Sequence, residues 1–253
     1  MTRDLTVIKA GTGVLTKTDD GTLDRAALVH LVSAISELVN HGHKCLFVSS
    51  GAVGSGVSAM GLSEYPKDTA TRQACAAIGQ ARLMQTYSSL FSNFDITIAQ
   101  VLLTAADLGT PVRSGYVSDT LNRLLEEPGI LPIINENDSV AVEELKFGDN
   151  DMLSVRVAKL AGATRVILLT SVDGLLEPES QRLIPEVTDI DEVFRHVRND
   201  KGRFSMGGMA SKLEAVKFAV SAGIETHIAH GRHPERLADI IAGNGISTKF
   251  HTA

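Results

Sequence analysis

A chain of 253 residues is long enough for one large α/β domain or two small ones. With 43% hydrophobic and 21% charged residues it has the make-up of an ordinary globular domain. A net charge of −6 and only 4% aromatics, with no tryptophan, argue against a phosphate-tracking basic face and against stacking platforms for single-stranded nucleic acid.

In chain order, LTVIK (5–9) reads as a strand. DRAALVHLVSAISELVNHG (24–42) reads as a helix, with Leu28, Leu31, Val32, Ile35, Leu38 and Val39 on one stripe and Gly42 as its stop. The strand KCLFVS (44–49) precedes a long alanine-rich helix at 68–91, whose small residues suit close packing, between subunits in this reading. DITIAQVL (95–102) and ILPII (130–134) are strands on either side of a helix at 118–127. A helix at 151–162 leads to the strand RVILLT (165–170), and a helix at 208–223 leads to the strand ETHIAH (225–230) and a last helix at 234–243. The segment 176–208, rich in charge and turn residues, is the least regular and reads as a lid or a nucleotide-side lobe. Strand–helix alternation of this kind gives a mostly parallel sheet with helices on both faces, and strands that are apolar on both sides agree with it.

Cys45 and Cys75 stand far apart, with no CxxC pair. This suits a reducing compartment and no cysteine-bound metal cluster, with Cys45 as a small core residue. The apolar part of MTRDLTVIKAG is too short for a signal peptide, and no apolar run approaches the ~18 residues of a membrane span. A cytoplasmic protein without nucleic-acid or membrane partners is expected.

Ligands in such sheets bind beyond the carboxyl ends of the strands. Lys9 ends the first strand, with Gly11 and Gly13 in the turn after it. Ser49 and Ser50 end the second, followed by Gly51, Gly54 and Gly56. Gly54-x-Gly56-x-x-Ala59 formally fits a dinucleotide fingerprint, but the acid-ended second strand it requires is absent, which leaves a glycine-rich anion holder. The fifth strand ends LLTSVDGLL, with Thr170, Ser171 and Asp173 in what reads as an ordinary turn. Gly207 and Gly208 precede a helix carrying Ser211 and Lys212, an arrangement that cradles phosphate or, more plainly, caps a helix beside a solvent lysine. No Walker A pattern occurs.

The densest polar stretch is INENDSVAVEELKFGDNDMLS (134–154), with six carboxylates, Glu136, Asp138, Glu143, Glu144, Asp149 and Asp151, against the single lysine Lys146. It lacks the spacing of a calcium-binding EF-hand loop, and nothing else supports a sugar-cleaving pair of acids. A helix cap accounts for Asp149, but not for Asn135, Asp138, Asn150 and Asp151 together.

Taken in order, IKAGTGVLT, VSSGAVGSG, INENDSVA, FGDNDMLS, LLTSVDGL and MGGMASKLEAV resemble the amino-acid kinase family, more narrowly its glutamate 5-kinase branch. The resemblance runs from Lys9 to the closing FHTA, which implies the form without an extra C-terminal PUA domain. It implies a single-domain three-layer αβα sandwich around an eight-stranded sheet, with glutamate bound on the N-terminal side (about 1–160) and ATP on the C-terminal side (about 161–253). Carried over by motif, Lys9 and Lys212 flank the transferred phosphoryl group and Asp151 holds them. Ser50, Gly51, Asn135, Asp138 and Asn150 bind glutamate. Lys9, Thr170, Ser171, Met206, Gly207, Gly208, Met209, Ala210, Ser211 and Lys212 bind nucleotide, with magnesium carried by ATP and no metal ligand on the chain.

A homodimer or homotetramer and feedback inhibition by proline are further family expectations. Four features depart from the family pattern, all on the nucleotide side: Gly13 for serine, Ser171 for aspartate, Met206 for threonine, and GLLEPES without the usual tyrosine. Two alternatives stay open: another small-acid kinase (carbamate, acetylglutamate or aspartate), or an amino-acid sensor on a decayed kinase scaffold.

Overall fold

The computed structural model describes residues 4–17, 22–141, 150–177, 179–199 and 208–252. The first half runs β1 (Leu5–Ala10), α1 (Thr12–Leu15), α2 (Arg25–Asn40), β2 (Lys44–Val48), α3 (Ala52–Ala59), α4 (Thr69–Phe91), β3 (Thr97–Leu103), α5 (Ala105–Gly109), α6 (Pro111–Glu126) and β4 (Ile130–Glu136). The second runs α7 (Asn150–Ala161), β5 (Arg165–Thr170), β6 (Glu186–Val187), α8 (Ile190–Asn199), α9 (Gly208–Ser221), β7 (Glu225–His230), α10 (Leu237–Ile241) and β8 (Thr248–Phe250).

All eight strands form one sheet in the order β3-β4-β2-β1-β5-β7-β8-β6. Neighbouring strands are parallel except β7 and β8. The earlier half of the chain winds outward from β1 on one side and the later half on the other, so β1 is the seam between them. The six apolar runs each form a strand. The two they did not disclose are short: β6 has two residues and β8 three.

The segment 176–208, expected to be irregular, holds β6 and α8. Ile190, Val193 and Phe194 of α8 lie at helical spacing and pack on the core. The expected helix at 118–127 begins earlier, at Pro111, because proline's fixed φ suits a first helical turn. Asp24 and Asp68 start α2 and α4 by accepting hydrogen bonds from the amides of Ala27 (3.1 Å) and Thr71 (2.8 Å).

Side chains alternate across the sheet with period two. Leu5, Val7, Leu46, Val48, Val166 and Leu168 face a core shared with α6, α7 and α9. Ile8, Ala10, Cys45, Phe47, Ile167 and Leu169 face one shared with α1, α2, α4 and α10. This alternation decides where the strand-end residues point. Lys9 continues the face of Val7, toward α7 and α9. Ser49 and Asn135 continue the faces of Phe47 and Ile133, toward α4.

Two small residues, Gly79 of α4 and Gly56 of α3, make close contacts within the chain. A Cβ on Gly79 would sit 1.8 Å from the Ala52 carbonyl oxygen, and one on Gly56 would sit 1.9 Å from that of Cys75. These two glycines let α3 and α4 touch backbone to backbone, which gives Gly56 a packing role in place of the dinucleotide one. Both cysteines are buried, and burial pushes the Cys45 thiol up to about 12.

Candidate functional site

Asp151, in the first turn of α7, is completely buried. One carboxylate oxygen lies 2.6 Å from Lys9 Nζ and the other 3.0 Å from Lys212 Nζ. The lysine side chains are only 2% and 11% exposed. The trio therefore joins β1, α7 and α9, and combines two cations with one anion in a low-dielectric setting. Attraction to the carboxylate offsets the mutual repulsion of the ammonium groups and leaves a net positive focus. An acid at a helix N-terminus is also favoured by the helix dipole.

Beside the trio runs a chain of amides. Asn150 Nδ2 donates to the Ser49 carbonyl at 2.8 Å, and shares its hydrogens with Ser50 Oγ and Asn135 Oδ1, each at 2.9 Å. Asn135 Oδ1 also accepts from the Glu136 amide at 2.9 Å, and Asn135 Nδ2 donates to Gln80 Oε1 of α4 at 2.9 Å. The direction of this chain is forced. Only an NH₂ group can face the Ser49 carbonyl, and only an oxygen can face the Glu136 N–H. Two atoms are left over, Asn150 Oδ1 and Gln80 Nε2, both buried and without a hydrogen-bond partner among the described residues. Such groups are costly unless a ligand or water meets them.

A cavity of about 240 Å³ opens on this chain, lined by Ser50, Gly51, Asn135, Asp138 and Asn150 together with residues from the start of α4. The structure thus gathers all five residues expected to hold an amino-acid substrate. Gly51 begins α3 with φ 92°, a left-handed conformation that favours glycine. Tyr65, Thr69, Arg72 and Gln73 also line the cavity. Burial and then the charge of Asp138 push the Tyr65 hydroxyl above its ordinary value, while Arg72 pulls it the other way.

Sequence reasoning missed Gln80 and Arg72. Their signal was present. Both are polar side chains in an alanine-rich helix, and Gln80 interrupts the buried stripe of Cys75, Ala76, Gly79 and Leu83.

Thr170 ends β5, the strand next to β1, and Ser171 follows it, so both stand at the same carboxyl-end sheet edge as Lys9. Gly208 opens α9, which carries Met209, Ala210, Ser211 and Lys212. Met209 packs against the core, Ala210 is exposed and Ser211 half-buried. Met206 and Gly207 lie outside the described residues, as do Glu143, Glu144, Lys146 and Asp149. A Cβ at Gly13 would meet nothing within 4 Å, so packing does not impose the departure from serine there. Among the described residues, no group of three or more His, Cys, Asp or Glu side chains forms a metal site, and no helix is long and apolar enough to cross a membrane.

Comparison with known proteins agrees with this architecture. Residues 4–230 match the amino acid kinase family. A glutamate 5-kinase of Gloeobacter violaceus is 44% identical over 253 residues, spanning 98% of this chain and 68% of the relative. One of Rippkaea orientalis is 45% identical, spanning 96% and 68%. One of Photorhabdus laumondii is 42% identical, spanning 97% and 68%. Among solved structures, the carbamate kinase of Giardia lamblia bound to AMP-PNP superimposes with a TM-score of 0.68 at 17% identity, covering 98% of each chain. The product complex of T. acidophilum isopentenyl phosphate kinase gives 0.68 at 18% identity, covering 98% of this chain and all of the other (100%). At these identities the two structures speak to the fold.

Proposed function

The chain belongs to the amino acid kinase family, and from that premise we propose that it transfers the γ-phosphoryl group of ATP to the side-chain carboxylate of L-glutamate. The products are ADP and L-glutamyl 5-phosphate, the acyl phosphate that opens proline synthesis. The observation that carries this reading is the meeting of Lys9 and Lys212 on the two oxygens of Asp151, beside the cavity that Asn150, Ser50 and Asp138 line. The glutamate 5-kinase relatives, which this chain matches at 42% to 45% identity, favour it over a carbamate, acetylglutamate or aspartate kinase. The intact lysine–aspartate trio favours it over a sensor without activity.

The chemistry follows from charge. The attacking carboxylate has an ordinary pKa of about 4.3, is ionised at neutral pH, and needs no general base. Its oxygen bonds to the γ-phosphorus as the bond to the β,γ-bridging oxygen breaks, and the electron pair leaves with ADP. No proton moves. The protein's task is to bring two anions into line and to neutralise charge spreading over the transferred group.

Lys9, on the seam strand, and Lys212, from the C-terminal half, supply that charge from two sides, and Asp151 fixes their spacing. Asp151 is itself engaged by both lysines and is not offered to a metal ion. Magnesium would be carried by the phosphates of ATP, where it would neutralise their charge. Thr170, Ser171 and the residues opening α9 hold the nucleotide, and Ser50, Gly51, Asn135, Asp138 and Asn150 hold glutamate. Self-association into a dimer or tetramer, inhibition by proline and a cytoplasmic location belong to the same reading.

The test is glutamate-dependent ADP formation with magnesium and ATP, the acyl phosphate being trapped by hydroxylamine as the hydroxamate. ADP release with carbamate, acetylglutamate or aspartate and not with glutamate would overturn the choice of acceptor.

A further inference from the structure

The proposed acceptor carries three charged groups, and the site as described so far serves two of them. The side-chain carboxylate must lie near Lys9 and Lys212, where it reacts. The ammonium finds acceptors in Asp138 and in Asn150 Oδ1, which has no hydrogen-bond partner among the described residues. The main-chain carboxylate has no assigned partner, and a cavity bordered by Glu136 and Asp138 repels it unless a cation stands opposite.

Among the described residues that line the cavity, Arg72 is the only cation. It is the fourth residue of α4, one turn after the Asp68 cap, and is half-buried with its Nε out of contact with solvent. The first half of α4 packs backbone to backbone on α3 at Gly56 and Gly79, so the helix that carries Arg72 lies against the helix that Gly51 begins. Tyr65, Asp138 and Arg72 all line the cavity, and the Tyr65 hydroxyl feels both opposite charges. A guanidinium fork matches a carboxylate in two parallel hydrogen bonds.

We propose that Arg72 determines specificity by binding the main-chain carboxylate of the acceptor, while Asp138 and Asn150 take its ammonium group. The cavity then selects α-amino dicarboxylates. It rejects acceptors in which the main-chain carboxylate is missing or uncharged. This assignment rests on the glutamate kinase reading, and deepens it.

The experiment is a binding cycle by titration calorimetry, with wild type and Arg72→Gln, and L-glutamate and L-isoglutamine as ligands. Isoglutamine keeps the ammonium and the side-chain carboxylate but carries an uncharged amide at the main-chain position. Arg72→Gln is expected to weaken glutamate by about 10- to 100-fold, the range of a hydrogen bond to a charged group. It should change isoglutamine affinity by less than about three-fold, because the interaction is already absent. Arg72→Lys, which keeps the charge without the fork, is expected to fall between the two, and it carries the test should Arg72→Gln fold poorly. Equal weakening of both ligands, or no weakening of either, overturns the assignment. Glutamate binding by the wild type without ADP formation would refute the kinase reading and leave the Arg72 result standing. No glutamate binding at all would refute both.

Discussion

Lys9 and Asp151 form an ion pair at 2.6 Å in which the two side chains are 2% and 0% exposed. A pair so enclosed is expensive to break. With one partner removed, an uncompensated charge stays in the interior, at a typical cost of about 3–5 kcal/mol. Asp151→Asn is therefore expected to lower the denaturant midpoint markedly, since both Lys9 and Lys212 lose their anion. Lys9→Ala and Lys212→Ala should each reduce kcat by roughly 100-fold or more, with a small effect on glutamate affinity, because their charge counts most in the transition state. Steady-state kinetics of ADP release and calorimetry of glutamate binding check both halves. An unchanged kcat in both lysine variants would remove them from the reaction.

Asp138 is assigned to the ammonium group, so its loss should be felt by ligands that carry one. Asp138→Asn is expected to weaken glutamate by about ten-fold or more, to leave the KM for ATP within about two-fold, and to narrow the preference for glutamate over glutarate, which has both carboxylates and no ammonium. Competition against glutamate in the ADP assay reads the ratio. Equal weakening of ATP and glutamate would refute the assignment.

Gln80 accepts a hydrogen bond from Asn135 of the site at 2.9 Å. Gln80→Met keeps most of the volume and deletes the acceptor, which leaves Asn135 Nδ2 buried without a partner. A stability loss of about 1–3 kcal/mol is expected, the usual cost of an orphaned buried donor. Glutamate KM should rise several-fold while kcat holds, because Gln80 positions residues and does not meet the reacting atoms. A variant with lowered kcat and unaltered KM would contradict this.

Gly79 meets the Ala52 carbonyl oxygen where a Cβ would come within 1.8 Å. Gly79→Ala must push α4 away from α3, at a cost of about 1–3 kcal/mol or more, typical of overpacking against backbone. The thermal midpoint should fall, and because α4 carries Arg72, glutamate affinity should fall with it. A control substitution at Gly115, where a Cβ meets nothing within 4 Å, should do neither.

The amino-end edge of the sheet holds a separate charge cluster. Glu225 takes Arg165 Nε at 2.8 Å, Lys249 Nζ at 2.7 Å and His227 Nε2 at 3.1 Å. Its burial opposes ionisation, but these partners outweigh it and hold the carboxyl at about 2, below the ordinary 4.5. The folded state then binds fewer protons than the unfolded state between those values, so stability rises with pH there. It is fully present above about 4.5 and is lost as the pH falls toward 2. Burial also lowers His227 from its ordinary 6.5, which gives the same sign just below that pH. Glu225→Gln should flatten the acid limb of a denaturation-midpoint profile between pH 4.5 and 2. An unchanged slope would mean that this cluster does not titrate with folding.

Much of this was legible in the sequence, and the exceptions have physical causes. Strands such as Val166–Leu169 show plainly because they are buried on both faces and rich in branched residues. Thr248–Phe250 does not, because a three-residue strand is too short to display a period. The apolar stripe of α8 was masked by the charges around it, and α4's small residues pointed to close packing without naming α3 as the neighbour. The polar clusters were conspicuous as composition, and the family resemblance supplied their roles. What composition alone cannot supply is the parity that turns Lys9 toward α7, or the amide chain that brings Gln80 to Asn135. Both depend on which strand faces which helix.

The amide chain takes its sense from the carbonyl of Ser49 and the N–H of Glu136, which belong to the main chain and not to any side chain. Amino-acid replacement can dilute what hangs from them, but cannot turn them round while the trace of β2 and β4 persists. Polarity at the cavity floor is thus inherited from the path of the polypeptide.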